Sequence, residues 1–98
     1  MDRETIFTAL REAETELKSR GVQSLAVFGS VARSDHSAAS DLDILVEFSR
    51  PVGLFEFLRL KFFLEQITHC RVDLVTPDAL RPEMTERILK EAVKTVGI

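Results

Sequence analysis

The sequence contains no tyrosine, no tryptophan and only one cysteine among its 98 residues. The lone Cys70 excludes an intrachain disulfide and is compatible with a reducing compartment. No basic run occurs and the formal net charge is -3, which disfavours direct binding to the phosphate backbone of nucleic acids. No apolar stretch approaches the roughly 20 residues of a membrane-spanning helix. We therefore expect a cytoplasmic protein that binds neither membranes nor nucleic acids.

The composition provides enough apolar material for one small domain. Hydrophobic residues make up 45% of the chain and charged residues 30%, which suits a single core but not a core plus a separate substrate domain. We expect one domain over residues 1–98. Apolar residues at helical spacing predict helices over residues 2–20 and 53–68, and a last helix from Pro82 to about Val93. The last helix is expected to turn four residues inward: Met84, Ile88, Leu89 and Ala92.

Three short apolar segments predict the strands of one sheet. They read "SLAVFGS", "DLDILVEF" and "RVDLVT", and each is bounded by turn or helix signals. A short segment, "SVARS", can start another helix after the first strand. The alternation of strands and helices predicts a small α/β (α+β) domain with a mixed three-stranded sheet flanked by about four helices.

Two of these strands carry acids in otherwise apolar surroundings. Asp41 and Asp43 point to the same side of an extended strand, about 6.5 Å apart along the chain. Their mutual repulsion at that distance is roughly 2–3 kcal/mol at an effective dielectric constant of about 20. Asp73 lies in another strand and joins them if the two strands are neighbours. Three carboxylates without a nearby His or Cys ligand set favour Mg²⁺ or Mn²⁺ over Zn²⁺. The alternative is a polar turn at Ser40 and Asp41, with Asp73 an exposed strand residue.

The dipeptide Gly29-Ser30 ends the first strand, and ten residues separate it from Asp41. A glycine lets a ligand approach the backbone, and the following N–H groups and hydroxyl form an anion site at a helix N-terminus. Arg33 lies one turn further along and is in reach of a phosphate. The alternative is an ordinary strand-to-helix turn with Ser30 as N-cap. A phosphate site followed by a metal-binding acid pair indicates a nucleoside triphosphate with its metal ions.

These residues carry a family resemblance. The segment "GSVARSDHSAASDLDILVEF" resembles the Gly-Ser, ten-residue, Asp-x-Asp signature of the polymerase-β-type nucleotidyltransferases. The later segments "GLFEFLRLKFFLE" and "RVDLVTPDALRPEMTERILKEAV" resemble the remainder of the minimal nucleotidyltransferase (MNT) proteins, so the likeness covers nearly the whole chain. Val31 and Ser34 depart from the family pattern, in which a basic or polar residue and a glycine are expected. Neither departure falls on a metal ligand.

The resemblance implies a polymerase-β-type nucleotidyltransferase core and assigns its site. Asp41, Asp43 and Asp73 would be the catalytic acids and would hold two ions of Mg²⁺ or Mn²⁺. The nucleotide, ATP as substrate, would be bound by Gly29, Ser30 and Arg33. Asp73 would also take the proton from the incoming hydroxyl as AMP is transferred and pyrophosphate leaves.

The resemblance also implies a partner. Minimal nucleotidyltransferases commonly pair with a HEPN-domain toxin, act as its antitoxin and modify a tyrosine on it. Because this chain has no tyrosine, such an acceptor must be supplied in trans. Two alternatives stay open: a non-catalytic nucleotide-binding antitoxin that neutralises its partner by contact, and a transferase to a small-molecule acceptor.

The helix predicted over residues 53–68 has two apolar stripes where a surface helix needs one. One stripe contains Phe57, Leu60, Leu64 and Ile67, with Phe63 beside it. The second contains Leu54, Phe55, Leu58 and Phe62. This second stripe is either covered by a terminal helix or forms an interface, for a partner or for an oligomer made through residues 54–62.

Overall fold

The structure is a computed structural model that describes residues 3–29 and 41–96. The predicted short helix at "SVARS" lies outside the described residues. The elements are, in chain order, α1 (Arg3–Glu12), α2 (Glu14–Ser19), β1 (Val22–Phe28), β2 (Leu42–Phe48), α3 (Leu54–Thr68), β3 (Val72–Val75), a 3-10 helix (Pro77–Ala79), α4 (Pro82–Glu91) and β4 (Val93–Val96).

The strands form one mixed sheet in the order β3-β2-β1-β4. Strand β1 pairs antiparallel with both β2 and β4, whereas β2 and β3 pair parallel. Parallel neighbours need a crossover connection, and helix α3 supplies it between β2 and β3. The α/β class expected from the sequence is confirmed.

The sheet has a fourth strand, β4, which the sequence analysis missed. Helix α4 ends at Glu91, because Ala92 takes an extended conformation with φ -70° and ψ 144°. The chain then pairs with the free edge of β1, and these backbone hydrogen bonds outweigh the helical continuation to about Val93 that we expected. The inward face of α4 is also corrected: Ile88 is buried, but Met84 and Leu89 are 40% and 54% exposed.

The helix predicted over residues 2–20 is divided in two at Ala13, where φ is -88° and ψ 6°. The hydrogen bonds continue across this position, from the Ala13 N–H to the Ala9 carbonyl and from the Leu17 N–H to the Ala13 carbonyl. The apolar side chains therefore keep one direction along both helices, and Leu17 remains fully buried.

The core lies between one face of the sheet and helices α1, α2 and α3. It is built from alternate residues of the strands and from the apolar stripes of the helices. Its fully buried members include Ile6, Leu10, Leu17, Leu25, Val27, Leu42, Ile44, Val46 and Leu64. The opposite face of the sheet carries the acids. Within the described residues, no helix is long and apolar enough to cross a membrane.

Candidate active site

The parallel pair β2–β3 places two of the predicted acids side by side. Asp43 and Asp73 are register partners, and neighbouring strands lie about 4.8 Å apart. Register partners project to the same face of a sheet, so both carboxylates leave the face opposite the helical core. Asp43 is half-buried and Asp73 is exposed. The expectation that the acid-bearing strands are neighbours holds in the structure.

Gly29 lies against the same carboxylate from the other side. Phe28, at the end of β1, is the register partner of Asp43, and Gly29 follows with φ +73°, in the left-handed region that favours glycine. A Cβ atom built on Gly29 would collide with the Asp43 carboxylate. Glycine is therefore required here by the backbone conformation and by the close approach of the acid.

Asp41 precedes β2 by one residue and forms an ion pair with Arg71. The Arg71 Nε lies 3.4 Å from the Asp41 Oδ1, and the two side chains are 83% and 50% exposed, respectively. The backbone joins the same two segments, because the Leu42 N–H donates to the Arg71 carbonyl at 2.8 Å. Arg71 directly precedes β3 and lies two residues before Asp73, so that the two residues share a face. Arg71 therefore adds a cation to the face that carries the acids.

The three acids do not form a ready-made ligand set. Across residues 3–29 and 41–96, no group of three or more His, Cys, Asp or Glu side chains is arranged to hold a metal ion. The structure brings Asp43 and Asp73 together, whereas Asp41 is engaged by Arg71. The donors are nonetheless the hard oxygen ligands that Mg²⁺ and Mn²⁺ take. Ser30 and Arg33 lie outside the described residues.

Glu65 anchors the strand that carries Asp73. Its Oε2 accepts a hydrogen bond of 2.9 Å from the backbone N–H of Val72, the first residue of β3. Strand β3 is at the edge of the sheet, where outward-facing N–H groups lack a strand partner. Glu65 of helix α3 supplies the acceptor that a neighbouring strand would otherwise provide for the Val72 N–H. Neither Glu65 nor Arg71 was among the predicted site residues, and the only signal for Arg71 in the sequence is its spacing of two from Asp73.

The model of the family described as "Nucleotidyltransferase domain" matches residues 10–95. The chain belongs to this nucleotidyltransferase family. Protein adenylyltransferase MntA of Thermococcus cleftensis is 38% identical over 91 residues, which cover 92% of this chain and 89% of the relative. A solved structure assigned as a minimal nucleotidyltransferase is 41% identical, covers 95% of each chain and has a TM-score of 0.84.

A more distant likeness links the fold to a toxin–antitoxin complex. One chain of the solved complex between a tri-AMPylated Shewanella oneidensis HEPN toxin and an MNT antitoxin is 17% identical, with a TM-score of 0.66 over 94% of this chain and 73% of that chain. At that identity the likeness shows the fold alone. The family resemblance and the enzyme class expected from the sequence, a nucleotidyltransferase close to protein adenylyltransferases, are confirmed by the nearer relatives.

The second apolar stripe of this minimal nucleotidyltransferase is largely exposed within the part of the chain that the structure describes, although its member Leu58 is half-buried. Leu54, Phe55 and Phe62 on α3 are 70%, 77% and 59% exposed. The other stripe packs on the core through Leu60 and Leu64, as expected. Of the two alternatives, cover by a terminal helix does not occur among the described residues, because Leu54, Phe55 and Phe62 stay exposed although α1 packs against α3. That the stripe is an interface stays a prediction.

Proposed function

We propose that this nucleotidyltransferase transfers AMP from ATP to a tyrosine hydroxyl of a partner HEPN toxin, in a metal-dependent reaction, and thereby acts as an antitoxin in the cytoplasm. The observation that carries the proposal is the pairing of Asp43 with Asp73 on one face of the sheet, with Gly29 against Asp43. The protein adenylyltransferase relative and the AMPylated toxin complex supply the acceptor class.

The acids of the site have different roles in the proposed reaction. In the proposed reaction the tyrosine oxygen attacks the α-phosphorus of ATP, the bond to the β-phosphate oxygen breaks, and pyrophosphate leaves. The hydroxyl proton passes to Asp73, the exposed carboxylate, which the acceptor can reach from solvent. Asp43, half-buried between β1 and β3, is held in place by both neighbouring strands. Fixed positions of this kind account for much of the catalysis in such transfers.

Asp41, Asp43 and Asp73 would hold the divalent cation. When bound, the cation supplies the positive charge that stabilises the attacking and leaving oxygens. On the nucleotide side, the Gly29 turn leaves the backbone open to a close approach, because no side chain projects from it. We assign the triphosphate to this turn, with Ser30 and Arg33 as further contacts.

The acceptor must come from another molecule if it is a tyrosine. The chain contains none, so transfer to its own tyrosine is chemically impossible. The exposed Asp73 and the exposed apolar stripe on α3 are both accessible to a second protein. A small-molecule acceptor and neutralisation by contact alone are the competing outcomes that the experiment below separates.

The test is AMP transfer to a partner HEPN toxin. Purified protein, toxin, Mg²⁺ and ATP labelled at the α-phosphate are incubated, and label is followed on each chain. We expect label on the toxin and none on this chain, and loss of labelling when the acceptor tyrosine is changed to phenylalanine. Asp43→Asn should lower the rate by about a hundredfold or more, the scale found when one preorganised electrostatic group is removed.

Asp78→Asn is the matched control. Asp78 is an exposed aspartate on the 3-10 helix, beyond the opposite end of β3. Asp78→Asn therefore makes the same chemical change away from the site. It should transfer AMP at the wild-type rate. If Asp43→Asn neutralises the toxin in cells as well as wild type does, inhibition is by contact and the proposed role is wrong.

A further inference from the structure

Arg71 is a cation that pairs with one of the acids of the site. Its guanidinium pairs with Asp41 across the β2–β3 step, and its backbone carbonyl accepts from the Leu42 N–H, so its Cα is fixed beside the acids. The pair is long, at 3.4 Å, and exposed on both sides. Exposed pairs of this kind contribute little to stability, so stabilisation of the fold does not account for the pairing of Arg71 with Asp41.

The same ion pair offsets part of the charge repulsion among the three acids. Two carboxylates two residues apart repel each other, and Asp73 adds a third negative charge on the same face. Arg71 offsets this charge by holding Asp41. Within the described residues, no three acids are arranged as a ligand group. A divalent cation that takes Asp41 as a ligand competes there with the guanidinium, because both are attracted by the charge of the same carboxylate.

We propose that Arg71 is an exchangeable counter-ion of the site: it holds Asp41 while the site is empty and is displaced from Asp41 when the metal ion binds. This inference rests on the proposed function, since it takes Asp41 as a metal ligand. Arg71 is a positioning residue, acting through Asp41. The weakness of the pair suits the role, because a buried bidentate pair would resist replacement.

The test measures metal affinity directly, with Mn²⁺ alone and without nucleotide. Binding is followed by the loss of the free-ion signal in electron paramagnetic resonance. Arg71→Gln should tighten Mn²⁺ binding about two- to fivefold, the range that corresponds to an exposed ion pair. Arg71→Lys keeps the charge and should remain close to wild type. Arg59→Gln, at an exposed arginine of α3, controls for the general effect of removing one positive charge.

A double-mutant cycle shows whether Arg71 acts through Asp41. In an Asp41→Asn background, Arg71→Gln should no longer change Mn²⁺ affinity, because the carboxylate for which Arg71 and Mn²⁺ compete is gone. The inference is overturned if Arg71→Gln matches Arg59→Gln, if it weakens binding, or if its effect persists without Asp41. AMP transfer by the wild type is assayed separately, to distinguish failure of this inference from failure of the proposed function. If the wild type transfers AMP but Arg71→Gln leaves the Mn²⁺ affinity unchanged, this inference alone is rejected.

Discussion

The two faces of strand β2 perform different tasks with alternate residues. Leu42, Ile44 and Val46 are fully buried against the helices. Asp41 is exposed and Asp43 is half-buried on the opposite face, where the site lies. Because successive side chains of a strand leave opposite faces, one segment can pack a core and present charges within the same seven residues. The acids therefore gain rigid positions without being buried in the core.

Strand β3 repeats the arrangement in four residues. Val72 and Leu74 are 4% and 7% exposed, whereas Asp73 between them is exposed to solvent. We therefore expect changes on the core face to cost stability, and changes to the acids of the opposite face to cost activity. The four predictions below test that statement in order of decreasing effect on stability.

Ile44→Ala should cause the largest loss of stability. The side chain is fully buried between the sheet and the helices, and removing it leaves a cavity. Such substitutions cost about 2–5 kcal/mol. For a domain of this size each kcal/mol lowers Tm by about 4–8 °C. Thermal and urea unfolding measure the effect. Asp43→Asn, the next residue, should unfold close to wild type, and an equal loss in both variants would refute the separation of faces.

Gly29→Ala is expected to lower both stability and activity, because Gly29 has a left-handed backbone conformation and also contacts the Asp43 carboxylate. A left-handed conformation costs a non-glycine residue roughly 1–2 kcal/mol. The added Cβ also displaces the Asp43 carboxylate. We expect a stability loss in that range together with a strong loss of AMP transfer, measured by unfolding and by labelling of the toxin. A variant with wild-type transfer would show that Asp43 tolerates displacement.

The sequence predicted the acid face better than it predicted the extent of the sheet. Asp43 in "DLDILVEF" and Asp73 in "RVDLVT" each lie between two buried apolar residues, and that pattern indicates both the strand and the face that carries the acid. Strand β4 covers only four residues directly after a helix. Its apolar residues also fit the end of an amphipathic helix, and only the open edge of β1, a feature of the assembled fold, decides between the two structures.

Arg71 and Glu65 could not be assigned from the sequence for a related reason. Their roles depend on which backbone or side chain lies beside them after β3 docks against β2 and α3. The Arg71–Asp41 pair joins residues 30 positions apart, and Glu65 reaches Val72 only because α3 returns antiparallel to β3. Charged residues near a strand are common, and no local pattern distinguishes these two from ordinary solvated charges.

Glu65→Ala should have an intermediate effect. The substitution leaves the Val72 N–H at the sheet edge without its acceptor, which costs about 1–3 kcal/mol for a buried group and less for this partly buried one. Glu65→Gln retains an oxygen acceptor and should recover most of that loss. Because Val72 adjoins Asp73, AMP transfer should follow the same order. Equal stability of Glu65→Ala and wild type in urea unfolding would show that water replaces the carboxylate.

Phe62→Ser should change stability least, although it removes a large aromatic side chain. Phe62 is 59% exposed, and phenylalanine and serine have similar helix propensities, so we expect a change within about 0.5 kcal/mol. Phe57→Ser is the matched control on the same helix. Phe57 packs on the core and faces the Phe48 ring at a centroid distance of 6.4 Å, so its loss should destabilise the fold clearly more.

The same pair of variants decides whether the exposed stripe is an interface. An interface buries Phe62 only in the complex, so Phe62→Ser should keep its unfolding curve and lose association, either with a second copy or with the toxin. Sedimentation velocity of the protein alone and mixed with toxin measures this. If Phe62→Ser unfolds as early as Phe57→Ser, the stripe is covered within the chain and residues 54–62 are not the interface. If it keeps its stability and also binds and self-associates as wild type does, the stripe is a surface without a partner.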